Sequence, residues 1–211
     1  MSALQRTYHT AEQYLEMDRK AERRSEYVDG EIMEMAGVSR EHNLIVTNLV
    51  GEFRGLLRGR PCETYSNDMR VKISPVRFTY PDVVIACDGP EFEDRSLDIL
   101  LNPTVIFEVL SPTTENDDRS WKFFHYRQLE TLTDYVMLSQ YQPLVEQYTR
   151  QPDGQWMLTE LHGLSSVLRL PSIGCELPMP VIYERVEFAP DPVLAALEML
   201  EDEAQDEEMM P

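Results

Sequence analysis

The chain has 211 residues, 42% of them hydrophobic, and a formal charge of −19. That length allows one domain with a sizeable core and appendages. The charge excludes a general nucleic-acid binder, because such a chain repels polyanions at long range, although local basic strips stay possible.

Taken in order, Thr10-Ala11-Glu12-Gln13 carries a capping-box pattern and predicts a first helix to about Arg23. Residues 25–36, S-E-Y-V-D-G-E-I-M-E-M-A, predict a hairpin turning at Asp29-Gly30, with Tyr27 beside Ile32 and Glu26 beside Met33. Ser39 reads as the N-cap of a helix marked by Ile45, Leu49, Phe53, Leu56 and Leu57 and ended by Gly59. Residues 65–73 alternate, which predicts a half-exposed strand with Arg70 and Lys72 on its polar face; Ser74-Pro75 turns it back against a strand over residues 79–87. Residues 104–111, T-V-I-F-E-V-L-S, predict a buried central strand. A helix over residues 116–132 follows, with Trp121, Phe124 and Leu129 inward and Asp118, Lys122 and Tyr126 at i, i+4, i+8 on an adjoining face. A strand over residues 134–140 then implies a right-handed crossover and a parallel pair. A second hairpin (residues 144–150 and 155–161), a short strand (166–170) and a C-terminal helix from Asp191 complete the chain. The order predicts an α/β or α+β domain over residues 1–188 with a mixed sheet, then a helix and an acidic, disordered tail over 189–211.

The charge is uneven. Residues 1–80 hold 12 Lys/Arg and 12 Asp/Glu, whereas the tail from Asp191 has eight acids and no base. No apolar run approaches the roughly 18 residues of a membrane span, and no charged-then-apolar leader opens the chain, so a soluble cytoplasmic protein is expected. Cys62, Cys87 and Cys175 are widely spaced with no C-x-x-C pair, which fits a reducing compartment and argues against a thiolate zinc site.

Glu108 stands in the middle of the apolar central strand, and a bare carboxylate there costs several kcal/mol, roughly, unless a cation or donors meet it. Asp82 follows Pro81 at the head of another apolar run, and Lys122 lies on the helix that returns over the same sheet. Two acids on neighbouring strands form a half-shell for a hard cation such as Mg²⁺ or Mn²⁺, which would neutralise a phosphate and acidify an attacking water. A nearby lysine would orient that water or stabilise the transition state. Spacing alone leaves a second reading open: Asp82 caps a strand, Glu108 forms a structural ion pair and Lys122 is solvated. Ser111 lacks a Gly-x-Ser-x-Gly context, and no Walker loop is present.

The words around these residues narrow the choice. Tyr80-Pro81-Asp82-Val83, then Phe107-Glu108-Val109-Leu110-Ser111-Pro112-Thr113-Thr114, then Asp118-Arg119, Lys122 and Tyr126, resemble the Uma-type family of "putative restriction endonucleases" within the PD-(D/E)XK superfamily. Glu26-Tyr27-Val28-Asp29-Gly30-Glu31-Ile32, Met35-Ala36 and His42 match its N-terminal signature, so the resemblance spans residues 8–185. It implies a restriction-endonuclease-like core with Asp82 and Glu108 as metal ligands. The superfamily's lysine stands two residues after the acid, where this chain has Leu110; Lys122 on the following helix is the substitute candidate. The resemblance also offers Glu26 to complete the metal site, against an exposed hairpin glutamate. His42 reads either as a base or as a packing residue at a helix start. Asp118 reads either as a partner holding Lys122 or as an ordinary i, i+4 pair.

Arg70, Lys72 and Arg77 are candidate phosphate contacts, or they offset the acids downstream. The expectation is a Mg²⁺-dependent endonuclease acting on DNA, assembled as a homodimer by family habit and by apolar faces on the C-terminal helix and last meander. The alternative is a non-catalytic interaction or regulatory module that keeps the fold.

Overall fold

The computed structural model describes residues 7–111 and 114–188; the predicted C-terminal helix and acidic tail lie outside the described residues. Helix α1 (Ala11–Asp18) opens with both arms of the capping box, since Thr10 Oγ1 accepts from Gln13 N and Gln13 Oε1 accepts from Thr10 N. It stops short of Arg23 because Asp18 turns inward. The Asp18 carboxylate, 3% exposed, accepts from Arg70 Nη2 (2.5 Å), Tyr80 OH (2.5 Å) and Ser25 N (2.8 Å).

β1 (Ser25–Val28) and β2 (Glu31–Glu34) form the expected hairpin in the expected register, Tyr27 opposite Ile32 and Glu26 opposite Met33. Positive φ at Asp29 (49°) and Gly30 (99°) makes the tight turn. Helix α2 (Arg40–Leu56) starts at Ser39, whose Oγ accepts from His42 N, and buries His42, Ile45, Leu49 and Phe53.

The strand predicted over residues 65–73 is in fact two. β3 (Cys62–Ser66) and β4 (Arg70–Ser74) are separated by a turn closed by Met69 N donating to Ser66 O, and they join different sheets. β4 pairs with β5 (Arg77–Thr79), whereas β6 (Val83–Cys87), the strand after Asp82, pairs with β3 and with β8 (Val105–Leu110). Pro81 separates β5 from β6, which allows the chain to change sheets there. Two-residue β7 (Ile99–Leu100) runs parallel to β4.

β8 is buried at all six positions and parallel to β9 (Asp134–Ser139), so the predicted crossover is present. The crossover helix is shorter than predicted. It comprises α3 (Glu115–Asp117), a π-helical turn (Asp118–Lys122) and α4 (Phe123–Tyr126). Leu129 packs against the core as expected, but the adjoining polar face is the more deeply buried one. Phe124 is half-exposed, while Asp118, Lys122 and Tyr126 are buried. β10 (Leu144–Arg150) and β11 (Trp156–His162) are the second hairpin; β12 (Val167–Leu170) pairs with β13 (Cys175–Pro178), and α5 (Met179–Ile182) follows.

The main sheet runs β11-β10-β9-β8-β6-β3 and the second sheet β2-β1-β5-β4-β7. Alternation along β8 sends Val105, Phe107 and Val109 into a core under α2, where Phe53 and Phe107 rings lie 5.1 Å apart. Ile106 and Leu110 point the other way, into a core with Tyr126, Tyr135 and Met137. Period-two geometry therefore puts Glu108 on that second face, toward the crossover helix.

Cys62 and Cys87, opposite one another on β3 and β6, form a disulfide, and Cys175 is a buried free thiol. This corrects the expectation of three reduced, unpaired cysteines; the two are far apart in sequence but direct cross-strand neighbours. Among the described residues no helix is long and apolar enough to cross a membrane.

Candidate active site

Five elements converge on one cavity of about 200 Å³, lined by Glu26, His42, Tyr80, Asp82, Glu108 and Lys122 among others. Lys122 Nζ lies 3.3 Å from Glu26 Oε1, 3.2 Å from Glu108 Oε1 and 3.0 Å from Asp118 Oδ1. Tyr126 OH donates to Glu108 Oε1 at 3.3 Å and shares a 2.7 Å hydrogen bond with Thr79 Oγ1. Asp82 Oδ2 accepts from Val109 N at 2.7 Å, a bond that ties the head of β6 to β8. His42 Nε2 sits 3.1 Å from the same oxygen, while His42 Nδ1 is buried without a hydrogen-bond partner. Glu26 Oε1 accepts from Tyr80 N at 3.3 Å, so the hairpin, the residue before Pro81 and the crossover helix are joined by one carboxylate.

The electrostatics are unbalanced. Four carboxylates (Glu26, Asp82, Glu108 and Asp118) face one ammonium. Burial pushes the Glu108 carboxyl well above its ordinary range; Lys122 pulls it down, and Asp118, Asp82 and Glu26 push it further up. Burial also raises Asp118. Burial works against the Lys122 ammonium, but Glu108, Glu26 and Asp118 outweigh it, and its pKa stands well above the ordinary lysine value.

All six candidates, Asp82, Glu108, Lys122, Glu26, His42 and Asp118, are thus gathered at one place. Asp118 and His42, each weighed against an ordinary structural role, both touch the central groups. Thr79, Tyr80 and Tyr126 belong to the same network but were not among the site candidates; they are uncharged, and the i+8 spacing of Tyr126 showed only that it shares a helix face with Asp118 and Lys122. The oxygen-rich set suits a hard divalent cation in kind. Among the described residues, however, no three of His, Cys, Asp and Glu are spaced to hold a metal ion as they stand. The ammonium of Lys122 lies between three of the acids.

The basic strip is corrected. Arg70 is 1% exposed and bound to Asp18, Asp98 (3.0 Å) and Tyr14 OH (3.2 Å), so it cannot meet a phosphate. Lys72 is paired with Glu93 and Arg77 with Asp29, both at 2.6 Å. The half-exposed reading of Arg70 failed because its acid partners come from α1 and the 88–98 loop.

A mixed sheet that presents acids from neighbouring strands beneath a crossover helix is the fold of restriction-endonuclease-like nucleases. A crystal structure described as a putative nuclease belonging to DUF820, from Anabaena variabilis, shares the fold at a TM-score of 0.72 and 16% identity, covering 85% of this chain and 99% of that one. Residues 11–181 match the Uma2 family, described as "Putative restriction endonuclease", and the chain belongs to that family. Two proteins of Synechocystis sp. are similar along most of their length. "Uncharacterized protein sll1609" is 37% identical over 155 residues, 73% of this chain and 88% of its own. "Uncharacterized protein slr1290" is 33% identical over 178 residues, 84% of this chain and 92% of its own.

Proposed function

We propose that the chain is a divalent-metal-dependent endonuclease that hydrolyses phosphodiester bonds of DNA. The observation that carries this reading is the excess of buried carboxylate around Lys122 within a single cavity. Four acids beside one base either hold protons, which the raised Glu108 and Asp118 carboxyls favour, or leave negative charge that a cation would offset. Asp82 and Glu108 would hold Mg²⁺ or Mn²⁺, with Glu26 and Asp118 beside them. A metal held there would neutralise charge on the scissile phosphate and lower the pKa of an attacking water. Lys122 contributes a buried donor that stays protonated and is positioned by Asp118 one turn away. Tyr126 fixes the Glu108 carboxyl, and His42 with Val109 N fixes Asp82.

One observation favours a second reading, a non-catalytic interaction or regulatory module: Lys122 already bridges three of the acids. Plasmid nicking with Mg²⁺ or Mn²⁺ separates the two. The nuclease reading expects nicking by the native chain and none by Asp82→Asn; no nicking by either, with no metal-dependent rise in melting temperature, supports the module. Exposed Met157, Leu158 and Leu164 on the last meander support assembly as a homodimer, which sedimentation would test.

A further inference from the structure

Beside the acidic cavity lies a second cleft of about 360 Å³, and the two share Met33 and Asp117. Two aromatic side chains line it, Tyr8 and Trp121. Tyr8 is 64% exposed, yet the backbone of the residue after it is held. His9 N donates to Gly30 O at 2.9 Å, and Tyr27 OH donates to His9 O at 2.8 Å. Its ring lies against Gly30, where a Cβ would come within 2.8 Å of Tyr8 Cδ1. Trp121 sits in the π-helical turn, next to Lys122. Irregular turns of this kind often occur at functional sites.

The phosphate contact expected of Arg70 is not available, because its guanidinium is buried against Asp18, and Lys72 and Arg77 are already paired with Glu93 and Asp29 in partly exposed ion pairs. A duplex offers twice the phosphate charge per step of a single strand, and a chain of −19 meets it with little compensation. Stacking on aromatic rings supplies affinity without neutralising phosphates. The carboxylate of Asp117, at the border of both cavities, can accept from an exocyclic base amino group.

We propose that the Tyr8–Trp121 cleft receives an unpaired nucleobase adjoining the scissile phosphate, so that the substrate is single-stranded DNA or an unpaired segment within a duplex. This rests on the nuclease reading, which supplies the phosphate in the neighbouring cavity.

The chain has two tryptophans, Trp121 and Trp156. In a Trp156→Phe variant of the full chain, the fluorescence of Trp121 reports the cleft directly, without metal and without cleavage. A short single-stranded oligodeoxynucleotide should quench it. The same strand with abasic residues should not, and a blunt duplex should do so only weakly. Tyr8→Ala should weaken binding about tenfold or more, and Tyr8→Phe should restore it. Should Trp156→Phe fail to fold, the ¹⁹F resonance of Trp121 in fluorotryptophan-labelled native chain gives the same readout. Equal quenching by abasic strand or duplex, or no response to any DNA, overturns the proposal. So does quenching by a lysine-rich peptide alone, which would mark a cation site. The two readings fail separately: cleavage of plasmid or single-stranded DNA without quenching leaves the nuclease and removes the stacking cleft, whereas quenching without cleavage of either leaves a base-stacking cleft but removes the nuclease and, with it, the scissile phosphate.

Discussion

Lys122 Nζ lies 3.2 Å from Glu108 Oε1, with both side chains buried and fourteen positions apart in sequence. The ammonium is the shared partner of three carboxylates, so its removal leaves uncompensated negative charge inside the protein. Lys122→Met should cost about 3–5 kcal/mol. If the acids can bind a divalent ion, Mn²⁺ or Mg²⁺ should return part of that loss in the variant, more than it adds to the native chain. Thermal melts with and without metal decide this. A variant equally unstable in both conditions argues against a metal site.

Glu108→Gln separates the charge of this residue from its shape. The folded-state pKa of Glu108 is raised, chiefly by burial. The stability it contributes is therefore full below the ordinary carboxyl value of 4.5 and is lost as pH rises through the folded value. The neutral glutamine has no such loss. The variant should match the native chain near pH 4 and gain on it as pH increases, while nicking disappears. Denaturant midpoints across that range check the sign; a variant that loses ground with rising pH would contradict the burial account.

Much of this geometry was legible in the chain. Asp82 heads one apolar run and Glu108 interrupts another, and strand alternation places Glu108 on the face opposite Phe107. The spacing of Asp118, Lys122 and Tyr126 put them on one face of the crossover helix. It did not say that this face is the inner one, because apolar Trp121 and Phe124 looked the better core residues. A polar face turns inward here only because Glu108 and Glu26 wait for it, and that depends on contacts far apart in sequence. The same limit hid the fate of Arg70. Its strand reads as half-exposed, and the acids that bury it come from distant segments. The break between β3 and β4 did have a local signal: Ser66-Asn67-Asp68 are three consecutive polar, turn-forming residues that interrupt the alternation of residues 65–73.

Asp98 should show the opposite pH behaviour to Glu108. Its hydrogen bonds with Arg19, then with Arg70, hold its pKa down to about 2 against an ordinary value of 3.8. The stability it adds is present above 3.8 and lost as pH falls toward 2. Asp98→Asn should therefore lower the urea midpoint at neutral pH, modestly because the pair is partly solvated, and the gap should close on acidification. A gap that persists at pH 2 would assign the effect to shape instead of charge.

Gly30 connects the turn chemistry of the hairpin to the aromatic cleft. Its φ of +99° disfavours any side chain, and a methyl group there would press on Tyr8 Cδ1 at 2.8 Å. The backbone penalty alone is about 1–3 kcal/mol. Because Tyr8 is exposed, its ring has room to move away, so Gly30→Ala should fold with a modestly reduced melting temperature. The larger effect should fall on the cleft. Displacing the Tyr8 ring removes one of the two aromatic walls while leaving Lys122, Glu108 and Asp82 in place. Oligonucleotide quenching of Trp121 should weaken as in Tyr8→Ala, and metal-dependent shifts in melting temperature should stay as in the native chain. Loss of both together would mean that the hairpin, through Glu26 on β1, supports the acidic cavity more directly than Tyr8 does.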